Sequence, residues 1–462
     1  MMYQTINPFT EDLLRTFPIH TDAQIESIIA QAERTYQTDW SQKTLATRRA
    51  IIKRAASILR ENRDEYARLI TLEMGKLFRE AQAESVLCAN ILEYFADNAD
   101  AFLAPERLQV AKGEAVIENA PVGVLFCVEP WNYPYYQLAR VAAPNLMLGN
   151  TVICKHAPSV PQCALAFEKL FLDAGAPVGV WTNVFATNEQ SAKIIADNRI
   201  RGVALTGSER AGSAIASEAG QALKKCTMEL GGSDPFIVLE DADLETAVKC
   251  AVWGRVQNTG QACVAAKRFI VMDSIADAFL GRFKNALEKL RPGDPMDPET
   301  SLGPLSSEAA VTGVLKQIDT ALKGGANIVL GGKRLDRRGF FLEPTVIADV
   351  APDNPVYRQE FFAPVAMVFR VKTEDEAIRL ANDSPYGLGA TVITKEIERG
   401  KRVARRIEAG MVFINEPTGT APELPFGGVK NSGFGRELSH LGIGEFVNKK
   451  LIRVAEHNAS RI

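Results

Sequence analysis

The sequence predicts an α/β protein with two parallel-sheet domains, and a change of pattern along the chain supports this prediction. Between Asp22 and Ala99 apolar residues recur at intervals of three and four, which is the period of amphipathic helices. Beyond residue 115 the chain instead contains short apolar runs, the later ones separated by helical stretches. Alternation of strands and helices over this length is typical of a parallel sheet.

The strand candidates fall into two groups that meet near residue 230. The first group comprises residues 116–117, 122–128, 151–154 and 203–205. The second group comprises residues 236–239, 269–272, 327–330, 366–369, 390–394 and 411–415. Two α/β domains, with the chain crossing from one to the other near residue 230, account for both groups. Residues 449–455 predict a lone strand that needs a sheet partner from elsewhere, with another subunit as one source.

The composition is that of an ordinary globular protein and argues against several classes. With 462 residues, 46% of them hydrophobic, the chain is large enough for more than one core. A net charge of −3 without a basic block argues against nucleic acid as a partner. No apolar run approaches the roughly 18 residues that span a bilayer, and the first residues lack a basic or apolar leader, so we expect a cytoplasmic protein.

The cysteines and histidines predict reduced thiols and no metal site. Seven cysteines are an odd number, and no Cys-x-x-Cys pair occurs, which is not the pattern of a disulfide framework. The four histidines are scattered without ligand spacing. They are His20, His156, His440 and His457.

Cys263 and Glu229 form the first candidate constellation. Cys263 lies in a short polar loop with a glycine, residues 258–263, and Glu229 precedes two glycines 34 positions upstream. A thiol with a distant carboxylate and no suitably placed histidine points to thiolate chemistry on a carbonyl. The structural alternative is that Glu229 caps a turn and that the loop cysteine is incidental.

Three further local patterns carry weaker signals. Asn132 lies in a proline-bounded corner after a strand, where its amide has the chemistry to donate to an oxyanion. Lys155 follows a strand and suits ribose hydroxyls or phosphate. Gly207 and Ser208 open a helix after a strand, a geometry that points backbone N–H groups at a pyrophosphate, although the G-x-G-x-x-G fingerprint is absent. A packed turn, a solvated lysine and an ordinary helix cap are the respective structural alternatives.

The order of these patterns resembles the aldehyde dehydrogenase superfamily over essentially the whole chain. The motifs that carry the resemblance are residues 130–132, Lys155, 206–208, 229–232, 260–263, 360–365 and 425–433. The resemblance implies an aldehyde-dehydrogenase-like α/β fold with a Rossmann-type cofactor domain, an α/β catalytic domain and a small β oligomerisation arm. The implied boundaries are 1–104 and 122–231 for the NAD(P)-binding domain, 232–431 for the catalytic domain, and 105–121 with 432–462 for the oligomerisation segment.

The resemblance also implies a mechanism. Cys263 as thiolate attacks the aldehyde carbon, and the Asn132 amide with the Cys263 backbone N–H holds the oxyanion. Hydride leaves for a nicotinamide, and Glu229 serves as general base for the water that hydrolyses the resulting thioester. Glu360, with Phe362 nearby, orients the nicotinamide ribose.

The implied cofactor contacts predict that NADP is used and that NAD is also accepted. These contacts are Trp131, Lys155, His156, Ala157, Pro158, Gly207, Ser208, Leu230, Glu360 and Phe362. Many NAD-preferring relatives carry a glutamate three residues after the lysine, where this chain has Pro158. Without that carboxylate, a 2′-phosphate beside Lys155 is not repelled.

The implied substrate is an aldehyde with a distal carboxylate. Residues 155–158 and 433–440 resemble members of the superfamily that act on succinate semialdehyde. Arg140 matches the arginine that binds the carboxylate in such members, and Thr420 adds a hydroxyl; a surface arginine is the structural alternative for Arg140. Some members carry a second arginine where this chain has Gln257, which leaves glutarate semialdehyde or a broad range of aldehydes open.

Two other functional classes stay open beside these substrates. An acylating dehydrogenase passes the thioester to coenzyme A or phosphate, and Glu229 argues against it because such an enzyme needs no hydrolytic base. A non-catalytic protein on the same fold has little reason to combine Cys263, Glu229 and Asn132. The resemblance further implies a hairpin near residues 105–121 that joins protomers, so we expect a homodimer or a dimer of dimers.

Overall fold

The computed structural model describes residues 2–455, and in this range the chain forms five β-sheets surrounded by helices. The strands in chain order are β1 Tyr3–Ile6, β2 Leu13–Phe17, β3 Glu106–Leu108, β4 Glu114–Pro121, β5 Val124–Glu129, β6 Thr151–His156, β7 Trp181–Asn183, β8 Ile200–Thr206, β9 Lys225–Glu229, β10 Asp234–Val238, β11 Ala266–Met272, β12 Asn327–Leu330, β13 Thr345–Ala348, β14 Val365–Val371, β15 Tyr386–Gly387, β16 Thr391–Ile393, β17 Phe413–Ile414, β18 Val429–Lys430, β19 Gly433–Phe434 and β20 Val447–Val454.

Helices make up most of the remaining regular structure. In chain order they are α1 Asp22–Thr38, α2 Leu45–Glu61, α3 Arg63–Met74, α4 Phe78–Phe102, α5 Tyr136–Leu148, α6 Pro161–Asp173, α7 Asn188–Ala196, α8 Glu209–Gln221, α9 Leu244–Val256, α10 Asp273–Leu287, α11 Glu308–Lys323, α12 Glu374–Asn382, α13 Ile397–Ala404 and α14 Ser439–Gly442, with 3₁₀ turns at Trp40–Gln42 and Gln257–Gly260. The amphipathic pattern predicted between Asp22 and Ala99 therefore folds as α1 to α4.

The first large sheet has six strands in the order β19-β9-β8-β5-β6-β7. All of its pairs are parallel except β19 with β9. Every residue of β6 is buried, and β5 is buried except for Val128, so these strands appear in the sequence as continuous apolar runs without alternation. Helices α2, α4, α5 and α6 supply apolar residues to the same core.

The second large sheet has seven strands in the order β12-β13-β14-β11-β10-β16-β17. Its pairs are parallel except β12 with β13. The chain passes from the first sheet to the second between Glu229, the last residue of β9, and Asp234, the first residue of β10. Several short strands, among them β7 and β13, were not predicted from the sequence. Their three or four residues are too few to show the alternation of apolar and polar residues that indicates a strand.

The C-terminal strand finds its partner within the chain. β20 pairs antiparallel with β4 along its whole length, from Val447 opposite Pro121 to Val454 opposite Glu114, and β3 completes a three-stranded sheet. The partner predicted for residues 449–455 is thus β4 of the same chain, not a strand of another subunit. Residues 456–462, which include His457, lie outside the described residues.

Neither a membrane-spanning helix nor a metal-binding cluster is found in the described part of the chain. No helix between residues 2 and 455 is long and apolar enough to cross a membrane. In the same range no group of three or more histidine, cysteine, aspartate or glutamate side chains is arranged to hold a metal ion.

Candidate active site

A cavity of about 900 Å³ contains Cys263 and opens between the two large sheets. All three residues predicted to contact the substrate, Arg140, Thr420 and Gln257, line this cavity together with the thiol. Tyr133 and Tyr136, from the corner after β5, form part of its wall. The structure therefore brings together side chains that are far apart in the sequence, since Thr420 lies 280 positions after Arg140.

The loop that presents Cys263 has an unusual backbone. Asn258, Thr259 and Gly260 follow one another with φ of 53°, 54° and 74°, which is the left-handed region. A non-glycine residue in this region costs on the order of 1 kcal/mol, and such strain is concentrated at functional sites. Arg255 stabilises the loop because its guanidinium donates to the Gly260 carbonyl at 2.7 Å and to the Ala266 carbonyl at 2.9 Å.

The Asn132 corner is hydrogen-bonded to this loop. The Asn132 amide donates to the Gln261 carbonyl at 3.1 Å, and the Asn258 amide donates to the Asn132 carbonyl at 2.8 Å. An amide nitrogen has two N–H groups, so one of those on Asn132 stays free. The backbone N–H of Cys263 also has no acceptor among residues 2–455. Two free donors beside a thiol fit the requirement of an oxyanion site, where one donor is typically worth about 3 kcal/mol of barrier.

Glu229 ends strand β9 and is buried in a cluster of charges. Neither of its carboxylate oxygens has a hydrogen-bond partner in the described part of the chain. Burial raises the pKa of Glu229 well above its usual value, and the nearby Glu437 raises it further, while Arg140 opposes the shift. A carboxyl with a raised pKa and free oxygens has the properties of a general base that works near neutral pH.

Arg140 is buried, which excludes the alternative of a surface arginine. Its Nε lies 2.7 Å from Glu437 Oε2, and its guanidinium stacks on the rings of Tyr136 and Phe426 at 4.6 Å from each centroid. Its Nη2 donates to the Thr206 hydroxyl, whereas its Nη1 has no partner within residues 2–455. An arginine that is held on three sides, and whose two Nη1 N–H groups lack an acceptor, is preorganised for an anionic ligand.

The two polar residues predicted beside Arg140 differ in their surroundings. The Thr420 hydroxyl is 2.7 Å from the Tyr136 hydroxyl, so either group has the capacity to donate to a further ligand. Gln257 caps the C-terminus of α9 at the start of the loop of Cys263. No arginine occupies that position, so the cavity has a neutral wall there.

The predicted cofactor residues of the first sheet lie at the carboxyl ends of neighbouring parallel strands. Lys155 is near the end of β6, Gly207 and Ser208 follow β8, and Leu230 follows β9. In open α/β sheets ligands bind at this edge. Ser208 caps α8 by accepting from the Ala211 N–H at 3.3 Å, and α8 packs so closely on Leu230 that a Cβ at position 212 would lie 2.6 Å from Leu230 Cδ2.

Lys155 has the features expected of a phosphate contact. Its side chain is largely buried, and its ammonium makes no hydrogen bond or ion pair with any residue from 2 to 455. Burial lowers the pKa of Lys155, and no carboxylate opposes this shift. A cation without an acidic neighbour favours an anion, so the residues present fit the adenine-side phosphate of NADP.

The nicotinamide-side residues also come together. The rings of Trp131 and Phe362 contact edge to face with centroids 5.8 Å apart. Glu360 forms an ion pair of 2.9 Å with Lys267 and accepts from the Gly232 N–H at 3.2 Å. Lys267 and the Gly232 N–H therefore hold the Glu360 carboxylate close to the loop of Cys263.

The His156 side chain is buried against the corner that carries Asn132. Its ring nitrogens lie 3.1 Å from the Glu129 carbonyl and 2.9 Å from the Pro134 carbonyl, and the ring is buried. Burial lowers the pKa of His156 to about 4. The neutral imidazole has one N–H group, which donates to the Pro134 carbonyl, while Nδ1 accepts from the Ala157 N–H at 2.9 Å. The ring thus fixes the end of β6 against the corner that carries Asn132. The neighbouring Ala157 and Pro158 are partly exposed.

Three charged residues of the site were not predicted from the sequence. Glu437 pairs with Arg140, and Lys267 contacts the loop of Cys263. The third is the buried Lys76, which forms an ion pair with Glu84 and lies 3.6 Å from the centroid of the Tyr133 ring. Glu437 lies within the segment 433–440 that resembled the superfamily, which was the available signal. Nothing local distinguishes Lys267 from Arg268, which follows it at the start of the same strand.

The parallel α/β sheets place a thiol in a cavity, bond an amide donor to the loop of that thiol and end one strand in a buried carboxyl. This set of groups is typical of an enzyme that acts on carbonyl carbon through a cysteine. A model of the aldehyde dehydrogenase family matches residues 1–452, and the chain belongs to this family.

Individual relatives agree with this placement. The chain is 51% identical to succinate-semialdehyde dehydrogenase (NADP+) of Deinococcus radiodurans, with 98% of this chain and 94% of the relative covered. It is 45% identical to a probable succinate-semialdehyde dehydrogenase (NADP+) of a Synechocystis strain, with 98% and 100% covered. The crystal structure of succinic semialdehyde dehydrogenase from Streptococcus pyogenes in complex with NADP+ superposes with a TM-score of 0.97 at 48% identity and covers 98% of this chain and 100% of its own.

Replacement of Cys263 by alanine tests the nucleophile. We expect the Cys263→Ala variant to lose aldehyde oxidation while it still binds the cofactor, because the thiol makes the covalent bond and the cofactor edge lies on the other sheet. Fluorescence titration with NADPH measures binding, and absorbance at the nicotinamide band measures oxidation. Cys250→Ala is the matched control with an unchanged rate. Measurable oxidation by Cys263→Ala would contradict the assignment.

Glu229→Gln tests the base. Because only the carboxylate form accepts a proton, acidification through its raised pKa should slow thioester hydrolysis, with a midpoint well above 4.5, and higher pH should restore it. The Glu229→Gln variant should lose this dependence of the rate on pH. It should give one burst of reduced cofactor per site without further turnover. Stopped-flow absorbance from acid to neutral pH measures both effects. Steady turnover by the variant at the wild-type rate would exclude Glu229 as the base.

Proposed function

We propose that the protein oxidises succinate semialdehyde to succinate with NADP and that NAD is a second, weaker cofactor. The observation that carries the substrate is the buried Arg140 in the cavity of Cys263, with Nη1 free and the Thr420 hydroxyl on the same wall. A four-carbon substrate with an aldehyde at one end and a carboxylate at the other needs a nucleophile and a cation in one pocket. The names of the relatives support the same substrate.

Glu437 competes with the substrate carboxylate for Arg140, since Glu437 and Arg140 form an ion pair. Burial raises the pKa of Glu437, although Arg140 itself opposes that shift. A carboxyl that is reluctant to ionise holds the arginine less firmly than an ordinary carboxylate does. The substrate carboxylate therefore competes with Glu437 for a guanidinium that stays charged and whose Nη1 has no partner in the described residues.

The cofactor proposal rests on Lys155 and on the residue three positions further on. The unpaired ammonium of Lys155 suits the 2′-phosphate, and Pro158 supplies no carboxylate to repel it. The N-terminus of α8, with Gly207 and Ser208, is placed for the pyrophosphate. NADP, when bound, supplies the hydride acceptor.

The protein groups account for the other parts of the reaction. Cys263 Sγ donates its electron pair to the aldehyde carbon, and the free N–H groups of Asn132 and Cys263 hold the oxyanion that forms. Loss of hydride from that carbon leaves a thioester on Cys263. Glu229 then takes a proton from water, the hydroxide adds to the thioester carbon, and the collapse of this adduct releases succinate and the thiolate.

Glu229 also separates this proposal from an acylating activity. Its unpaired oxygens are available to activate water, which is the step that a coenzyme A-dependent enzyme does without. Gln257, at the position of a second arginine in some relatives, keeps glutarate semialdehyde as the main alternative substrate.

The assembly and location of the protein belong to the same proposal. We infer a homodimer or a dimer of dimers in the cytoplasm, joined through the sheet of β3, β4 and β20. The exposed apolar side chains of Leu451, Ile452 and Val454 on β20 support this inference. The first sheet with its flanking helices is proposed as the cofactor domain and the second as the catalytic domain.

Arg140→Gln tests the substrate. It should raise KM for succinate semialdehyde at least about tenfold, since a lost charged hydrogen bond costs about 1.5–3 kcal/mol. KM for butanal, which has the same carbon chain without the carboxylate, should change little. Arg79→Gln, at a more exposed position in the cavity wall, is the matched control. Equal increases for both aldehydes would remove Arg140 as the carboxylate contact.

The same assay should include glutarate semialdehyde and coenzyme A. We expect the highest kcat/KM with succinate semialdehyde and no dependence on coenzyme A. An acyl-coenzyme A product would overturn hydrolysis, and higher kcat/KM with glutarate semialdehyde would replace the substrate but not the family.

Lys155→Met tests the cofactor. Wild-type protein should show higher kcat/KM with NADP than with NAD, and the variant should lose this preference because the 2′-phosphate loses its counter-charge. Lys169→Met on the exposed face of α6 should leave both values unchanged. A strong preference of the wild type for NAD would refute the proposal.

A further inference from the structure

Lys267 is buried beside the nucleophile, and the proposed reaction assigns it no role. It is the second residue of β11 and follows Cys263 by four positions. Its Nζ lies 2.8 Å from the Ala262 carbonyl oxygen, 2.7 Å from the Cys263 carbonyl oxygen and 2.9 Å from Glu360 Oε1. An ammonium has three N–H groups, so all three are satisfied and the charge is fixed in one place.

The contact with the Ala262 carbonyl acts on the oxyanion donor. That carbonyl and the backbone N–H of Cys263 belong to the same peptide group, and this N–H has no acceptor in the described residues. A cation that binds the carbonyl oxygen polarises the amide and strengthens its N–H as a donor. It also fixes the plane of the peptide, which determines the direction in which the N–H points.

The charge of Lys267 acts on the thiol. Burial raises the pKa of Cys263 to about 12, while Lys267 and Arg140 lower it and Glu360 and Asp234 raise it. Tyr133 also faces the thiol from the wall of the cavity. Of the two cations, Lys267 lowers the pKa of Cys263 more than Arg140 does. Its hydrogen bonds to the Ala262 and Cys263 carbonyls also hold it against the backbone of the nucleophile.

We propose that Lys267 is a positioning residue for the nucleophile, which orients and polarises the Cys263 N–H through the Ala262 carbonyl and stabilises the thiolate by its charge. Glu360 balances that charge, since it is the counter-ion of Lys267 and repels a thiolate. The proposal rests on Cys263 as the nucleophile of the proposed function. Removing Lys267 and removing Glu360 should therefore change the acidity of the thiol in opposite directions.

Alkylation of Cys263 by iodoacetamide, measured against pH in the cofactor-free protein, tests this. The modified Cys263 peptide is followed by mass spectrometry, which separates it from the other cysteines. Lys267→Met should move the midpoint of the rate profile upward by about one pH unit, the lower end of what a nearby charge produces, and Glu360→Gln should move it downward. Lys267→Arg should return it toward the wild-type value. Lys284→Met, an exposed lysine of α10, is the control without a shift.

The outcomes separate this role from a merely structural one. Loss of packing alone lowers the extent of alkylation without moving its midpoint, so an unchanged midpoint in folded Lys267→Met overturns the proposal. If Lys267→Met does not fold, Glu360→Gln and the double variant decide the matter, and the absence of a downward shift in Glu360→Gln overturns it. An active Cys263→Ala variant would instead refute the proposed function.

The oxyanion part has its own readout. In steady state Lys267→Met should lower kcat by at least about tenfold and leave the dissociation constant of NADP within about twofold, because the loss falls on a charge-assisted contact of the nucleophile peptide. An unchanged kcat would overturn the polarising role of the Ala262 contact.

Discussion

Two hydrogen bonds between the Asn132 corner and the loop of Cys263 hold the site together. One runs from the Asn132 amide to the Gln261 carbonyl and the other from the Asn258 amide to the Asn132 carbonyl. The corner ends a strand of the six-stranded sheet and the loop precedes a strand of the seven-stranded sheet, so these bonds join the two. Each contributes about 1 kcal/mol net, but a buried group left without its partner costs about 1–3 kcal/mol. The contact is therefore more important for geometry than for overall stability.

The second constraint is the balance of buried charge. Glu129, Glu229 and Glu437 share their surroundings with Arg140, and Arg436 adds a second positive charge near Glu229. Two guanidinium groups do not neutralise three carboxylates in a medium of low dielectric, so burial raises the pKa of all three carboxyls. The raised pKa of Glu229 is thus a property of the whole cluster. The same surplus of carboxyl groups fixes Arg140 on the inner wall of the cavity.

The sequence predicted those parts of the fold whose cause is local. Strands β5, β6 and β8 were visible because each is a continuous apolar run, and the residues at their carboxyl ends could be assigned to a ligand edge on general grounds. The thiol of Cys263 stood out because its loop is polar. Where the resemblance supplied roles, the structure places Arg140 and Thr420 in the cavity of Cys263.

The remaining features depend on contacts that sequence distance conceals. Glu437 lies 297 positions after Arg140, and no local pattern links them. Lys267 stands next to Arg268 in β11, and its function depends on which carbonyl groups the fold places opposite it. The contact of the His156 ring with the Pro134 carbonyl is another such case, since no local pattern indicates it. The partner of β20 is a similar case, since only topology brings residues 114 and 454 together.

The left-handed backbone at Asn258, Thr259 and Gly260 limits which positions of this cavity accept substitution. A Cβ at Gly260 would lie 2.5 Å from the Ala363 backbone, so that position accepts no larger residue without moving the nucleophile. Gln257 directly before the run and Thr420 on the opposite loop carry no such backbone restriction. Libraries for altered chain length or polarity of the aldehyde can therefore vary these two positions and keep 258–260 fixed. Chemistry and selectivity are thus encoded by adjacent residues with very different tolerance to substitution.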